Sequence, residues 1–115
     1  MPGASYSLEG DPATVLPTLR AWLREQLVTL SEDAVAVVAL VGTELASNAL
    51  EHAQPPRSLR VSQDTTVLLE VDDGGPAERP SPGYGLMIVD RLSHWGVRMR
   101  ETGKTVWAHI PVDQA

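Results

Sequence analysis

The 115-residue chain contains no cysteine. That excludes a disulfide scaffold, a cysteine nucleophile and a thiolate-held metal, and it agrees with a reducing compartment. Basic residues are scarce: nine Lys and Arg against fifteen Asp and Glu, a formal net charge of −6. A general nucleic-acid binder needs a basic face to neutralise phosphates, so that class is excluded. A polyanion can still be held locally where backbone amides and a metal ion supply the positive charge. The first residues, Met1 to Ser5, form neither a basic n-region nor an apolar h-region, so no secretory leader is expected. The longest apolar run, Ala34 to Val41, falls far short of the roughly 20 residues that span a bilayer. Repeats and low-complexity tracts are absent as well. What remains is 43% hydrophobic and 21% charged, enough for one core. A single soluble, cytoplasmic domain over 1–115 is expected, with neither a membrane nor nucleic acid as a direct partner.

Periodicity supplies the elements. Tyr6 to Leu8 read as a short edge strand. Asp11-Pro12 is a helix start, an N-cap followed by proline at the first helical position. Leu16, Leu19, Leu23, Leu27 and Leu30 follow at three- and four-residue steps, one apolar stripe of an amphipathic helix. Pro17 either kinks that helix or moves its start to Leu16. Ser31, with Glu32 and Asp33 after it, opens a second helix that runs to His52 or Ala53, where Pro55-Pro56 stop it. Its first half is apolar almost all round and is expected at the centre. Beyond the prolines the period becomes two. Leu59 and Val61 alternate with polar residues, and Val67, Leu69 and Val71 share one face of the next strand. A Gly- and Pro-rich loop, Asp73 to Gly85, leads to a helix from Leu86 to Ser93. Two strands close the chain, Trp95 to Arg100 and Thr105 to Ile110, joined by a turn over 101–104. Helices and strands cluster separately. The expected fold is therefore α+β: a two-layer α/β sandwich, a mixed but mostly antiparallel sheet with helices on one face.

Three groups of residues carry possible chemistry. Glu44, Asn48 and His52 lie four apart along one ridge of the long helix. A carboxamide oxygen is a hard ligand suited to Mg²⁺, and a carboxylate one turn away can accept a proton from an attacking hydroxyl. A solvated polar stripe has the same spacing. Asp73 shares the parity of Val67, Leu69 and Val71, so it points toward the helices, where it can accept a hydrogen bond from an exocyclic amine. Asp72 points the other way, and Gly75 lets a flat base approach the backbone. Such a sequence also serves an ordinary turn. Gly83-Tyr84-Gly85-Leu86 stands before a helix, where glycine amides and the helix terminus can face phosphate; a flexible connection is the plainer alternative. Trp22 is expected beside the first helix stripe, Trp95 and Trp107 in the core or on the sheet, and Arg98 and Arg100 on a solvated strand face or at a partner surface.

Together these groups resemble a known family. Glu44-x-x-x-Asn48-Ala49-x-x-His52-Ala53 resembles the N box of the histidine-kinase-like (GHKL, or Bergerat-fold) ATPases. Val71-x-Asp73-x-Gly75 resembles their first glycine box, and Gly83-x-Gly85-Leu86-x-Ile88-Val89 their second. Leu92-Ser93-x-Trp95-Gly96-Val97 and Gly103-Lys104-Thr105-Val106-Trp107 resemble the actinobacterial anti-sigma-factor serine kinases. The resemblance runs from the first helix to Ile110. It implies the Bergerat ATP-binding fold, with ATP and Mg²⁺ as cofactors. It implies Glu44 as general base and Asn48 as Mg²⁺ ligand. It places Asp73, Gly75, Gly83, Gly85, Leu86 and Thr105 around the nucleotide. The activity it implies is transfer of the γ-phosphoryl group to a serine of an antagonist protein, with sequestration of a sigma factor by a homodimer. The segment between Gly75 and Gly83 departs from the pattern: it is short, and Arg79 is its one basic residue. A module of the same fold that binds nucleotide or a partner without transferring phosphate is the alternative.

Overall fold

The structure, a computed structural model, describes residues 3–75 and 84–112. In chain order it contains strand β1 (Ala4–Ser7), helices α1 (Pro12–Gln26) and α2 (Glu32–His52), strands β2 (Ser58–Gln63) and β3 (Thr66–Asp72), helix α3 (Tyr84–Leu92), and strands β4 (His94–Arg100) and β5 (Gly103–Pro111). The strands form one sheet in the order β1-β2-β3-β5-β4. Every pairing is antiparallel. The helices cover one face of this sheet, as a two-layer α+β fold requires.

The helices begin where their caps dictate. The Asp11 carboxylate accepts from the Ala13 amide at 3.2 Å, and the Ser31 hydroxyl from the Ala34 amide at 3.1 Å. Each satisfies an amide that the first helical turn leaves without a partner. Since α1 starts at Pro12, Pro17 lies inside it, and the Leu16 start is not adopted. Leu27 and Leu30 lie beyond its last turn yet remain buried. Trp22 meets Tyr6 of β1, with ring centroids 5.2 Å apart.

The core lies between the layers. Leu19 and Leu23 of α1, Val38, Val41 and Leu45 of α2, and Val89 of α3 pack onto the alternate residues Leu59, Val61, Val67, Leu69, Val71, Val106, Ala108 and Ile110. A fully buried Leu or Val contributes about 1.5–3 kcal/mol, so this shared surface dominates stability. By length and composition α2 could cross a membrane, with 21 residues and a most apolar stretch of mean hydropathy 1.4; half of that stretch is buried inside the domain. It is the central helix, flanked by α1 and α3. Its apolar half is not buried all round, because Leu40 is exposed.

The sheet's other face bears a polar network. Arg60 Nε donates to Asp72 at 2.8 Å and Nη1 to Glu70 at 3.1 Å, while Arg98 reaches the second Glu70 oxygen at 3.3 Å. Hydrogen bonding to Asp72 holds the Arg60 guanidinium above its ordinary value, although burial opposes the shift. Burial alone would push Asp72 up. The hydrogen bonds from Arg60 and Thr105, with the charges of Arg60 and Arg100, outweigh it, so this carboxyl titrates below the usual range.

Candidate functional site

The ends of α2 and β3 and the start of β5 meet: the Gly74 amide donates to the Gln54 carbonyl at 3.0 Å, and Asp72 pairs with Thr105. Glu44 and Asn48 stand one turn apart on α2, both half-buried. Leu45 and Ala49 beside them are buried in the core, which fixes the helix's rotation and keeps the polar pair at the edge of the packed layer. Among the described residues neither Glu44 nor Asn48 has a hydrogen-bond partner. Half-buried polar groups are ordinarily satisfied by protein, water or a ligand. His52 ends the ridge in solvent, 3.3 Å from Glu51. It does not cap the helix carbonyls. Arg57 does, its Nη1 donating to the carbonyls of Ala53 at 3.2 Å and Leu50 at 3.4 Å.

Asp73 points inward as its parity requires. It is 4% exposed, and its backbone amide continues the sheet by donating to the Lys104 carbonyl at 3.1 Å. Its carboxylate is held on both oxygens: Lys104 Nζ donates to Oδ2 at 2.7 Å, and the Gly75 amide to Oδ1 at 3.3 Å. Lys104 is only 6% exposed. Two ions this deep are tolerable only as a pair, because each leaves water at a cost of several kcal/mol. The hairpin locks the pair in place. Gly103 has φ +129°, a left-handed conformation that side chains rarely adopt, and a Cβ there would stand 2.1 Å from the Asp73 carbonyl oxygen. Arg100 Nη2 donates to the carbonyls of Asp73 at 2.6 Å and Lys104 at 2.9 Å. Arg100 thus fastens the β4–β5 end to β3.

The remaining residues fall as follows. At Gly75 a Cβ would lie 2.2 Å from the Gln54 side chain, so this glycine admits the close approach of the segment after α2. That segment contains the cis Pro55–Pro56 bond. Leu86 is buried on α3. The helix begins at Tyr84, two residues before the expected start, and so includes Gly85. The first four amides of a helix have no partner within it, and the Gly85 amide is one of these. Gly83 and the Arg79 segment lie outside the described residues. The Thr105 hydroxyl donates to Asp72 at 2.5 Å, on the sheet face away from the helices. It is therefore not brought to the Asp73 carboxylate, because successive strand residues alternate sides.

Lys104, Arg100 and Arg57 were not anticipated as parts of this end of the molecule. Lys104 shares the parity of Val106, Ala108 and Ile110, a signal sufficient to place it inward beside Asp73. The two arginines act across chain reversals that no local spacing reports.

The described residues thus present a half-buried carboxylate and carboxamide one turn apart on α2 and a buried carboxylate–ammonium pair on the sheet. The family model for a histidine kinase-like ATPase domain matches residues 8–110. No curated protein matches the chain.

Proposed function

The chain belongs to the histidine kinase-like ATPase domain family, and from that premise we propose that it binds ATP with Mg²⁺ between the helices and the sheet and transfers the γ-phosphoryl group to a serine of a partner protein, as an anti-sigma-factor kinase. The observation that carries this reading is the pair Glu44 and Asn48, half-buried and one turn apart, with no protein partner among the described residues. The donor set fits the ion. Mg²⁺ prefers oxygen, keeps several waters and is commonly held by one or two protein oxygens together with substrate phosphates. Among the described residues no group of three His, Asp or Glu side chains forms a self-contained metal cage. The Asn48 carboxamide oxygen would supply the protein ligand. When bound, the ion neutralises charge on the phosphates.

Each of the chain's own groups then has one task. Asp73 accepts from the exocyclic amine of the base. The α3 amides, Gly85 included, donate to phosphate oxygens. Glu44 takes the serine proton as the serine oxygen bonds to the γ-phosphorus and the bond to the β-phosphate oxygen breaks, which leaves ADP, phosphoserine and a protonated Glu44. Solvent then receives that proton. Such a transfer asks mainly for positioning and charge neutralisation, so few side chains suffice.

The sequence Trp95-Gly96-Val97 and the tail Gly103 to Trp107 support the anti-sigma-factor branch. Under that reading the partners are a sigma factor, its antagonist protein and a second copy of the chain. Labelled ATP incubated with candidate antagonist proteins tests it. Glu44→Gln should keep ATP affinity within about threefold and lower transfer by about a hundredfold or more, the usual worth of a general base. Equal loss of binding would make Glu44 structural. Binding with no transfer by the unaltered chain would leave a non-catalytic module of the same fold.

A further inference from the structure

We propose that β4 is a docking edge for an extended segment of a partner protein, a segment in which apolar and acidic residues alternate. The inference rests on the sheet alone and stands apart from the nucleotide reading. β4 is the last strand in the order β1-β2-β3-β5-β4, and among the described residues no strand lies beyond it. All of His94–Arg100 pairs with β5 on its other side. Alternate residues of such an edge direct amide and carbonyl away from the sheet, a row of groups able to take one more strand. The side chains say which strand fits. Trp95 and Val97 stand opposite Ala108 and Val106 and pack against the core on the helix side. Met99 continues that row with 41% of its surface exposed. On the other face His94, Arg98 and Arg100 are exposed. Gly96 adds no side chain there, and the Trp107 indole lies against it: a Cβ would stand 2.5 Å from the ring. The edge is thus apolar on one face and cationic on the other.

A strand laid beside β4 sets its own residues directly opposite, face for face. Apolar residues then meet Val97 and Met99, and carboxylates meet Arg98 and Arg100. Charge selects this occupant. β4 has two arginines, one histidine and no acidic residue, in a chain of net charge −6. A second copy joined through the same edge would bring no carboxylate to the arginines, and like charges facing across strands destabilise a pair. Charge on an edge strand normally keeps other strands away. Here it leaves one class admissible, the acidic one. The arginines have donors to give. Arg98 bonds Glu70 at 3.3 Å through one nitrogen, with its side chain 57% exposed, and a guanidinium carries five N–H groups. Arg100 donates from Nη2 to two carbonyls and makes no salt bridge among the described residues.

The probe is the end-blocked peptide Val-Glu-Val-Glu-Val-Glu-Val, titrated into the isotope-labelled full chain and followed by nuclear magnetic resonance. Saturable shifts centred on the β4 amides are expected. The counterpart with Lys in place of Glu should bind at least about tenfold more weakly, because each facing pair turns from attraction to repulsion. Arg98→Glu, verified folded by circular dichroism, should reverse that preference. Two further peptides, N-methylated on one alternate set of residues or on the other, separate strand addition from charge attraction alone. Methylating the set that faces β4 removes its donors and should abolish binding, while methylating the other set should leave affinity within about threefold. No saturable binding of the Glu peptide, shifts centred on another element, equal affinity for the Lys peptide, or equal effects of the two methylations overturns the proposal. The peptides decide the matter on the unaltered chain even where Arg98→Glu does not fold. ATP titrated separately shows whether the nucleotide reading stands, whichever way the peptides fall.

Discussion

Replacing Lys104 with methionine is the most demanding test of the structure itself. The ammonium lies 2.7 Å from Asp73, and the two side chains are 8% and 3% exposed. Removing one partner of such a pair leaves an uncompensated buried charge and costs about 3–5 kcal/mol. Domains of this kind are stable by roughly 5–15 kcal/mol in total, so a large share of the stability is at stake. At about 4 °C per kcal/mol, the melting temperature should fall by roughly 12–20 °C. Urea unfolding followed by circular dichroism measures the change. The double variant Asp73→Asn/Lys104→Met removes both charges, keeps an oxygen for the Gly75 amide, and should be more stable than Lys104→Met alone. A loss below about 1 kcal/mol in the single variant, or a double variant less stable than the single, would refute the reasoning, because either result means that no buried charge was left unpaired.

Two further outcomes follow from other contacts at the same end of the fold. Gly103→Ala should destabilise by more than about 1 kcal/mol, the low end of the cost of a strained backbone, since the left-handed φ and the collision with the Asp73 carbonyl act together; thermal unfolding checks it, and an unchanged midpoint would contradict the hairpin geometry. Asp72 has a lowered pKa in the folded state, so its contribution is present above its unfolded value near 3.8 and disappears as pH falls through the lower folded value. Stability measured against pH should therefore decline below about pH 4, and less steeply in Asp72→Asn; equal slopes would show that Arg60 and Thr105 do not hold the ionised form.

Much of this arrangement was legible in the chain because two simple periods govern it. Alternation along β3 placed Asp73 inward and Asp72 outward, and the structure agrees. The same alternation on β5 puts Lys104 inward with Val106 and turns Thr105 outward with Trp107. Motif resemblance alone had instead assigned Thr105 to the nucleotide. Lys104 was read as the last residue of a hairpin turn, with no inward role assigned, whereas it belongs to β5 and is buried. Its burial depends on a charge three decades of residues earlier in the chain, a tertiary fact. Capping logic located both long helices correctly at Pro12 and Glu32, yet Pro17 seemed to contradict the first. A proline costs a helix one hydrogen bond, and the Leu19 and Leu23 burial outweighs that. Arg57 and Arg100 bind carbonyl oxygens, which every residue has, so sequence offers no partner to look for. Gly75 was expected to admit a base, and Gln54 is what its missing Cβ admits.

The central claim is that α2 and the sheet grip a nucleotide whose phosphates are joined to the protein through Asn48 and Mg²⁺. Titration of ATP into the chain by calorimetry, with Mg²⁺ or with EDTA, addresses it directly. Saturable binding with Mg²⁺, at least tenfold weaker in EDTA, and loss of that difference in Asn48→Ala is the predicted result. No saturable binding with Mg²⁺, or an Asn48→Ala variant whose affinity and Mg²⁺ dependence match the unaltered chain, would contradict it.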